Sequence, residues 1–151
     1  MVSSLIVSAA MITITVVIHM VGLLMLMAFL QARSLHIRPT HSRLGQGVFI
    51  VLTVLGLVLI HGLEMWLYAL LYRVLGVFPN IEEALYFSVS TFTTVGFGEL
   101  VIEGQWRILG ALESFNGFLL IGWSTAFMVS VIGRIRTMEM NWLDRLRNSP
   151  D

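Results

Sequence analysis

The chain has 151 residues, of which 57% are hydrophobic and only 12% are charged. In a soluble domain about a quarter of the residues are charged, so this composition predicts a membrane protein. The net charge is zero and lysine is absent, which argues against a nucleic-acid partner. The absence of cysteine excludes a disulfide framework and a thiolate metal site.

Two apolar stretches long enough to cross a bilayer come first. Residues 5–30 are interrupted only by His19 and small or weakly polar residues, and residues 47–72 form the second stretch. Because about 20 apolar residues span a membrane, we expect two transmembrane helices joined by a polar linker over residues 31–46. His19 is expected to be an interhelical hydrogen-bond partner. Three aromatic residues lie where an interfacial belt is expected: Trp66, Tyr68 and Tyr72.

A shorter helix is predicted after the break at Pro79. Residues 81–92 would extend about 18 Å at 1.5 Å per residue, too little for a hydrocarbon core of about 30 Å. We therefore expect this helix to re-enter the membrane rather than cross it. Its first turn carries Glu82 and Glu83, where the helix dipole favours negative charge.

An uncharged polar stretch follows this helix, Thr93-Thr94-Val95-Gly96-Phe97-Gly98. Glycine adopts backbone angles closed to other residues, so Gly96 and Gly98 allow neighbouring carbonyl groups to point to one side. Irregular backbone at membrane depth must be buried in protein or line water. The stretch therefore predicts a pore lining.

A third apolar stretch, residues 106–132, precedes a basic tail. Seven of the nine arginines lie in the linker and the tail: Arg33, Arg38, Arg43, Arg134, Arg136, Arg145 and Arg147. The positive-inside rule places both segments in the cytoplasm, with the N-terminus and residues 93–98 at the outer face. Residues 138–146 fit either a surface helix or a continuation of the third span. A tail of about 18 residues is too short for a ligand-sensing domain, which needs about 50.

The motif TTVGFGE is similar to the TTVGYGD signature of the potassium-channel pore-domain family, and residues 81–92 resemble its pore helix. The resemblance covers about a third of the chain, residues 81–134, and is to prokaryotic-type channels with one re-entrant loop per chain. It implies that four carbonyl groups coordinate dehydrated K⁺ as the permeant ion, namely those of Thr94, Val95, Gly96 and Phe97. One such filter per chain implies a homotetramer, surrounded by lipid in the cell membrane.

Several departures from the family pattern concern the support of this filter, to which we also assign Thr93, Gly98, Glu99 and Ser90. Phe97 replaces the common tyrosine. Phe87 and Ser90 stand where some members place a tryptophan and a carboxylate that brace the residue after the filter, here Glu99. We therefore expect the filter to be held more by packing than by hydrogen bonds, with altered stability at low K⁺ and a slow inactivation that responds to Phe97→Tyr.

Besides His19, three ionisable residues lie well inside the predicted spans: His61, Glu64 and Glu113. Counted at 1.5 Å per residue from the helix ends, His61 and Glu113 lie at similar depth. We predict one hydrogen-bonded cluster behind the pore helix, extending to Ser88 or Ser90. Its role is either structural or that of a proton sensor. A constant conductance from pH 5 to 8 would exclude the proton sensor. The pair His61-x-x-Glu64 lacks the second histidine of a helical zinc motif and is a weak metal signal.

Two glycines interrupt the third span, Gly117 and Gly122. The resemblance suggests a gating hinge at one of these two glycines, with Gly117 at the matching place, and close helix packing through small residues is the equal alternative. Helical spacing from Gly117 places Ile121, Thr125 and Met128 on the face toward a central cavity.

The sequence thus predicts an all-α membrane protein with three transmembrane helices, a short re-entrant pore helix and a selectivity filter, assembled as a tetramer. We divide it into residues 1–46, the first helix and linker; residues 47–133, the pore domain; and residues 134–151, a cytoplasmic tail. The expected function is passive K⁺ transport, not catalysis, since no nucleophile with a base is visible. The alternatives are a non-selective cation channel and a non-conducting regulatory membrane subunit.

Overall fold

The structure, a computed structural model, describes residues 1–37 and 43–147. These residues form four α-helices with a single 3₁₀ turn, Gly104–Trp106, before the last of them. The helices are α1 (Val2–Ile37), α2 (Arg43–Val74), α3 (Ile81–Phe92) and α4 (Arg107–Arg147). Three helical segments are long and apolar enough to cross a membrane: Val2–Arg33, Leu44–Val74 and Gly104–Arg134. The predicted all-helical class with three spans is confirmed.

The helices are longer than the apolar stretches that predict them. Most of the predicted polar linker is helical, because α1 continues to Ile37 and α2 begins at Arg43. The residues after the first apolar stretch are mainly good helix formers, and the first residue that cannot continue the helix is Pro39. Residues 38–42, with the predicted cytoplasmic Arg38, lie outside the described residues. At the other end α4 runs without a break to Arg147, which favours a continuation of the third span over a separate surface helix.

The short helix α3 has the predicted bounds, and its start is fixed by local hydrogen bonds. The side chain of Asn80 caps it, accepting from the Glu83 backbone N–H at 2.8 Å and donating to the Glu83 carboxylate at 2.9 Å. Before it, Arg73 at the end of α2 donates to the backbone oxygen of Phe78 at 2.7 Å. The loop between α2 and α3 is therefore held at both of its ends.

The helix α3 packs against α2 and α4, and α1 packs against the same two helices. The buried face of α4 recurs at helical spacing: Leu109, Glu113, Asn116, Leu120, Ser124 and Val131. The buried face of α1 is mainly polar in its first half and leucine-rich in its second: Ser4, Ser8, Met11, Thr15, His19, Leu23, Leu26 and Leu30. A polar stripe facing the bundle interior indicates hydrogen bonds between α1 and its neighbours.

The predicted aromatic belt is wrong for two of its three members. Tyr68 and Tyr72 are fully buried, whereas Trp66 is 47% exposed. The tyrosines are four residues apart and share the face of α2 that meets α3 and α4, where Tyr72 packs edge-on against Phe87 with ring centroids 5.3 Å apart. Burial of the two tyrosines is favourable because each hydroxyl group has a hydrogen-bond partner inside the bundle.

Candidate functional site

The stretch after α3 has the backbone that its glycines predict. Residues 95–97 have no regular secondary structure, and φ is positive at Thr94 (62°), Gly96 (58°) and Gly98 (84°). The expectation of unusual angles at the two glycines is confirmed. The angle at Thr94 is a finding that the sequence did not predict, because a β-branched residue rarely adopts it. Every second residue from 94 to 98 is thus left-handed.

This stretch lies on the surface of the single chain. The side chains of Val95 and Phe97 are 56% and 65% exposed, and Gly96 and Gly98 are exposed as well. Polar backbone is not tolerated against lipid at membrane depth, whereas it is stable against other protein chains or water. The exposed face of residues 94–98 therefore requires a covering other than lipid.

Hydrogen bonds from α3 support the stretch from behind. The Gly96 N–H donates to the backbone oxygen of Ser90 at 3.0 Å, and the Phe97 N–H donates to the Ser90 hydroxyl at 3.2 Å. The Tyr86 hydroxyl donates to the Glu99 carboxylate at 2.7 Å, which raises the pKa of Tyr86 above its ordinary value. The Tyr86 ring also stacks on Phe97, with centroids 6.3 Å apart. Ser90, at a position where the family pattern gave no reason to expect a brace, and Tyr86 thus supply hydrogen bonds, and the ring stack supplies packing. Whether packing contributes more than hydrogen bonds stays a prediction.

The side chain of Thr93 ends α3 rather than reaching the exposed stretch. Its hydroxyl donates to the backbone oxygen of Val89 at 2.6 Å, and its backbone N–H shares that acceptor. Both bonds go to one carbonyl oxygen in the last turn of α3. The predicted support residue Thr93 thus acts on the helix end.

Removing the Ser90 hydroxyl should weaken the stretch without unfolding the chain. In Ser90→Ala the Phe97 N–H loses its acceptor, a loss of about 1 kcal/mol, or about fivefold in an equilibrium. We expect ion flux through reconstituted protein to decay about fivefold faster after external K⁺ is lowered. Ser130→Ala, at an exposed position of α4, is the matched control and should decay at the wild-type rate. Equal decay in both variants would show that the Ser90 hydroxyl does not hold the stretch.

The end of α3 rests directly on α4 at Gly117. A methyl group added at Gly117 would lie 2.1 Å from the backbone oxygen of Phe92, the last residue of α3. At Gly122 an added methyl group would meet nothing within 4 Å. The structure therefore favours close packing over a hinge at Gly117, while a hinge at Gly122 stays a prediction.

The three residues predicted to line a cavity differ in exposure. Thr125 is exposed, whereas Ile121 and Met128 are half-buried, Ile121 against the core around α3 and Met128 against the leucine-rich half of α1 and α2. A cavity shared by several chains requires its lining to be exposed in one chain. Thr125 meets that requirement best, and the lining by all three residues stays a prediction.

Buried polar side chains form a first group around Glu113. The Tyr72 hydroxyl donates to one carboxyl oxygen of Glu113 at 2.5 Å, and the Ser88 hydroxyl bonds to the other at 2.6 Å. Ser88 also lies 2.9 Å from the backbone oxygen of Met65. This group, which we call the Glu113 cluster, joins α2, α3 and α4 behind residues 94–98.

A second group lies further along the bundle and includes α1. Glu64 binds His19 through one carboxylate oxygen and His61 through the other, each with an Nδ1–oxygen distance of 2.9 Å. The Nε2 atoms of the two rings lie 3.4 Å and 3.0 Å from the Ser124 hydroxyl, respectively. We call these four residues the histidine cluster. His19, the expected interhelical partner, has its partner in α2.

The structure thus divides the predicted single cluster into two. No hydrogen bond among the described residues joins Glu113 to His61 or Glu64; between them, Asn116 donates to Thr15 at 2.7 Å and to Tyr68 at 3.2 Å. The predicted equal depth of His61 and Glu113 is wrong. His61 bonds to Ser124, which lies eleven residues or about 16 Å from Glu113 along α4. The helix ends from which depth was counted are not level with each other.

The sequence did not point to several buried polar residues in these clusters or between them: Thr15, Tyr72, Asn116 and Ser124. For α1 a signal was available, because Ser4, Ser8, Thr15 and His19 share one helical face, with spacings of four or seven residues. For Ser124 and Asn116 no sequence pattern distinguishes them from other small or polar residues of the third span.

Comparison with known protein families connects this site to a function. The family described as Ion channel matches residues 60–134, which include nearly half of α2, all of α3, the exposed stretch and α4 up to Arg134. Searches of curated proteins and of solved structures find no match for the chain. With three apolar helices long enough to cross a membrane, the chain is a multi-pass membrane protein. Through residues 60–134 it belongs to an ion-channel pore-domain family.

Proposed function

We propose that the chain is the subunit of a potassium-selective channel, in which residues 94–97 form the selectivity filter. The observation that carries the proposal is the alternation of left-handed residues at Thr94, Gly96 and Gly98 within the sequence TVGFG. An ordinary strand alternates its carbonyl groups between two sides. Alternation of left-handed with other residues turns them to one side, which a ring of ion-coordinating carbonyls requires.

The chemistry of such a filter rests on replacing water with carbonyl oxygens. Stacked rings of oxygens from Thr94, Val95, Gly96 and Phe97, with the Thr94 hydroxyl, coordinate a dehydrated K⁺ ion. The helix α3 ends at Phe92, immediately before the filter. Its C-terminal end carries the negative end of the helix dipole, which favours a cation at the inner entrance.

A homotetramer follows from the single filter of each chain. One chain supplies one wall of a carbonyl ring, and its filter face is exposed. The exposed face of α4 carries large apolar side chains that a neighbouring chain or lipid would cover: Phe115, Phe118, Leu119, Trp123 and Val129. Four chains around one axis cover the filter backbone and leave a water-filled path along it, as the polar backbone requires.

The proposed orientation places the N-terminus and the filter outside the cell and α3 as a re-entrant pore helix. Met1 lines a cavity with Gly104 and Arg107, so the start of α1 shares one end of the bundle with the start of α4. Gln31 and Arg134 line a cavity at the other end. The arginine-rich ends of the three long helices are thus on one side, which the positive-inside rule assigns to the cytoplasm.

The deciding experiment is ion flux into liposomes that contain the purified protein. We expect K⁺ uptake down its gradient that barium blocks, and reversal potentials in mixed Na⁺ and K⁺ that follow K⁺. Reversal potentials that follow both ions would instead favour a non-selective cation channel. An absence of flux from folded protein would favour a non-conducting membrane subunit.

A glycine substitution tests the filter itself. In Gly96→Ala the residue must keep φ near 58°, which strains an L-amino acid by about 1–2 kcal/mol. We expect K⁺ flux to fall at least about tenfold. Gly133→Ala, where an added methyl group meets nothing within 4 Å and φ is not positive, should conduct as the wild type does. An unaltered flux in Gly96→Ala would overturn the proposed filter.

A further inference from the structure

In the histidine cluster, hydrogen-bond acceptors outnumber the donors that can reach them. When Glu64 accepts an Nδ1–H from each imidazole, both neutral rings present an Nε2 lone pair to Ser124. The Ser124 hydroxyl has a single proton and lies within 3.4 Å of both Nε2 atoms. One buried lone pair then has no donor within the cluster, and the carboxylate has no full positive charge beside it. Such an arrangement calls for a cation.

The ligand set decides which cation fits. His19, His61 and Glu64 each offer one ligand atom, and these atoms lie within 4.8 Å of one another. Two imidazoles and one carboxylate suit Zn²⁺ and related first-row divalent ions, whereas K⁺, Mg²⁺ and Ca²⁺ prefer oxygen ligands alone. The second histidine that the helical motif lacks comes from α1.

We propose that His19, His61 and Glu64 bind one divalent metal ion of the zinc class per chain, between α1 and α2. The metal would take the place of the Nδ1 protons between the rings and Glu64, and each of these protons would move to Nε2 of its own ring, which stays neutral. Each Nε2–H is then free to donate to Ser124, whose oxygen has two lone pairs. Metal-bound histidines usually donate their other ring N–H to such a partner, which fixes the orientation of the ring.

The surroundings of the cluster fit a site with one entrance. The side chains of His19 and Glu64 are fully buried, and that of His61 keeps 16% of its surface exposed. Among the described residues, the two histidines are the ion-pair partners of Glu64. A divalent ion would therefore reach the carboxylate past His61 and meet no competing lysine or arginine there.

The position of the site gives it a consequence for the pore, which rests on the proposed function. α1 lies outside the region that matches the ion-channel family, so the metal would attach an additional helix to the pore domain. The His61 ring packs against Phe92 at the end of α3, with centroids 5.8 Å apart. Metal binding would thus fix the residue that precedes the filter.

Metal titration of the purified protein tests the site without any ion flux. We expect Zn²⁺, competed against a chromophoric chelator, to bind at one equivalent per chain and to raise the thermal unfolding temperature. His19→Gln and Glu64→Gln should each weaken binding at least about a hundredfold, and Ser124→Ala about tenfold. The double variant His36→Gln/His41→Gln, which removes the other two histidines of the chain, is the matched control and should bind as the wild type does.

X-ray absorption of the zinc-loaded wild-type protein keeps the test decisive if a variant fails to fold. Two imidazole ligands and one carboxylate are expected. Binding that survives His19→Gln, binding lost in the control variant, or a wild-type spectrum without two imidazoles would overturn the site. If Zn²⁺ binds as expected and K⁺ flux responds in the wild type but not in His19→Gln, the consequence for the pore holds. Binding without a change in flux would reject that consequence and leave the site.

Discussion

Gly117→Ala is expected to reduce K⁺ flux more than a hundredfold and to destabilise the protein, whereas Gly122→Ala should stabilise it by about 1 kcal/mol. The methyl group added at Gly117 would lie 2.1 Å from the oxygen, 2.8 Å from the carbonyl carbon and 2.9 Å from the ring carbon Cγ of Phe92. Two of these atoms belong to the backbone and cannot move as a side chain does. The end of α3 must therefore separate from α4, and with it the start of the proposed filter.

The sign of the change in stability separates close packing from a hinge. Alanine stabilises a helix interior by about 1 kcal/mol relative to glycine, so a glycine kept only for flexibility becomes more stable when it is replaced. Overpacking costs about 1–3 kcal/mol and occasionally more, and here it acts against backbone atoms. We expect the Gly117→Ala protein to unfold at a lower temperature than the wild type by at least several degrees.

Thermal unfolding in detergent and flux in liposomes measure the two quantities on the same preparations. Gly122→Ala is the matched control, because it makes the same chemical change in the same helix where an added methyl group meets open space. A Gly117→Ala protein that is as stable as the control, with altered opening of the pore, would support the hinge and contradict close packing.

The sequence predicted the features that depend only on neighbouring residues, such as the start of α3 and the backbone angles at the glycines. Pro79, Asn80 and the two glutamates fixed the start of α3 at the predicted residue. Gly96 and Gly98 predicted the left-handed backbone angles at their own positions. Each of these features depends on a few neighbouring residues, so it is visible in a single sequence without knowledge of how the helices pack.

The partners of the buried polar residues were not predictable in the same way. Helical periodicity shows which face of α2 carries Glu64 and Tyr72, but it does not give the axial offset between α2, α1 and α4. That offset decides that Glu64 meets His19 and that Glu113 meets Tyr72. It is set by how side chains of different helices interdigitate, which the residue numbers of one helix do not contain.

The hydrogen bonds that support the proposed filter show the same limit at shorter range. Ser90 was compared with the carboxylate of related pore helices and judged a weak brace, yet its hydroxyl accepts from Phe97. The bond depends on how closely the filter backbone approaches α3, which Gly96 and the left-handed Thr94 permit. The residue type alone did not show that distance.

Replacing Glu113 should have the largest effect among the buried polar residues of the pore domain. It is fully buried, and its carboxyl group holds one hydroxyl from α2 and one from α3. Glu113→Leu keeps most of the side-chain volume but removes both acceptors. Interhelical hydrogen bonds within membranes contribute about 1 kcal/mol each, and a buried hydroxyl left unpaired costs about 1–3 kcal/mol more. We expect the free energy of unfolding to fall by about 2–4 kcal/mol.

The two hydroxyl groups do not respond alike to this loss. Ser88 can turn to the backbone oxygen of Met65, 2.9 Å away, whereas the structure gives the Tyr72 hydroxyl no second acceptor among the described residues. Most of the penalty should therefore belong to Tyr72. The double variant Glu113→Leu/Tyr72→Phe removes the unpaired hydroxyl together with its acceptor, and replacing both partners by apolar groups is nearly neutral in favourable cases.

We therefore expect Tyr72→Phe to recover about 1–2 kcal/mol in the Glu113→Leu background, although it destabilises the otherwise wild-type protein. The measurement is a double-mutant cycle of unfolding free energies in mixed micelles, with Glu103→Gln in the exposed loop before α4 as the control expected to change nothing. If the double variant loses as much unfolding free energy as the two single variants together, the cluster is contradicted. The hydrogen bond between Tyr72 and Glu113 can be lost only once, so its contribution cannot be counted in both single variants and again in their sum. Recovery of stability with K⁺ flux still impaired would show that the Glu113 cluster also positions α3 for conduction.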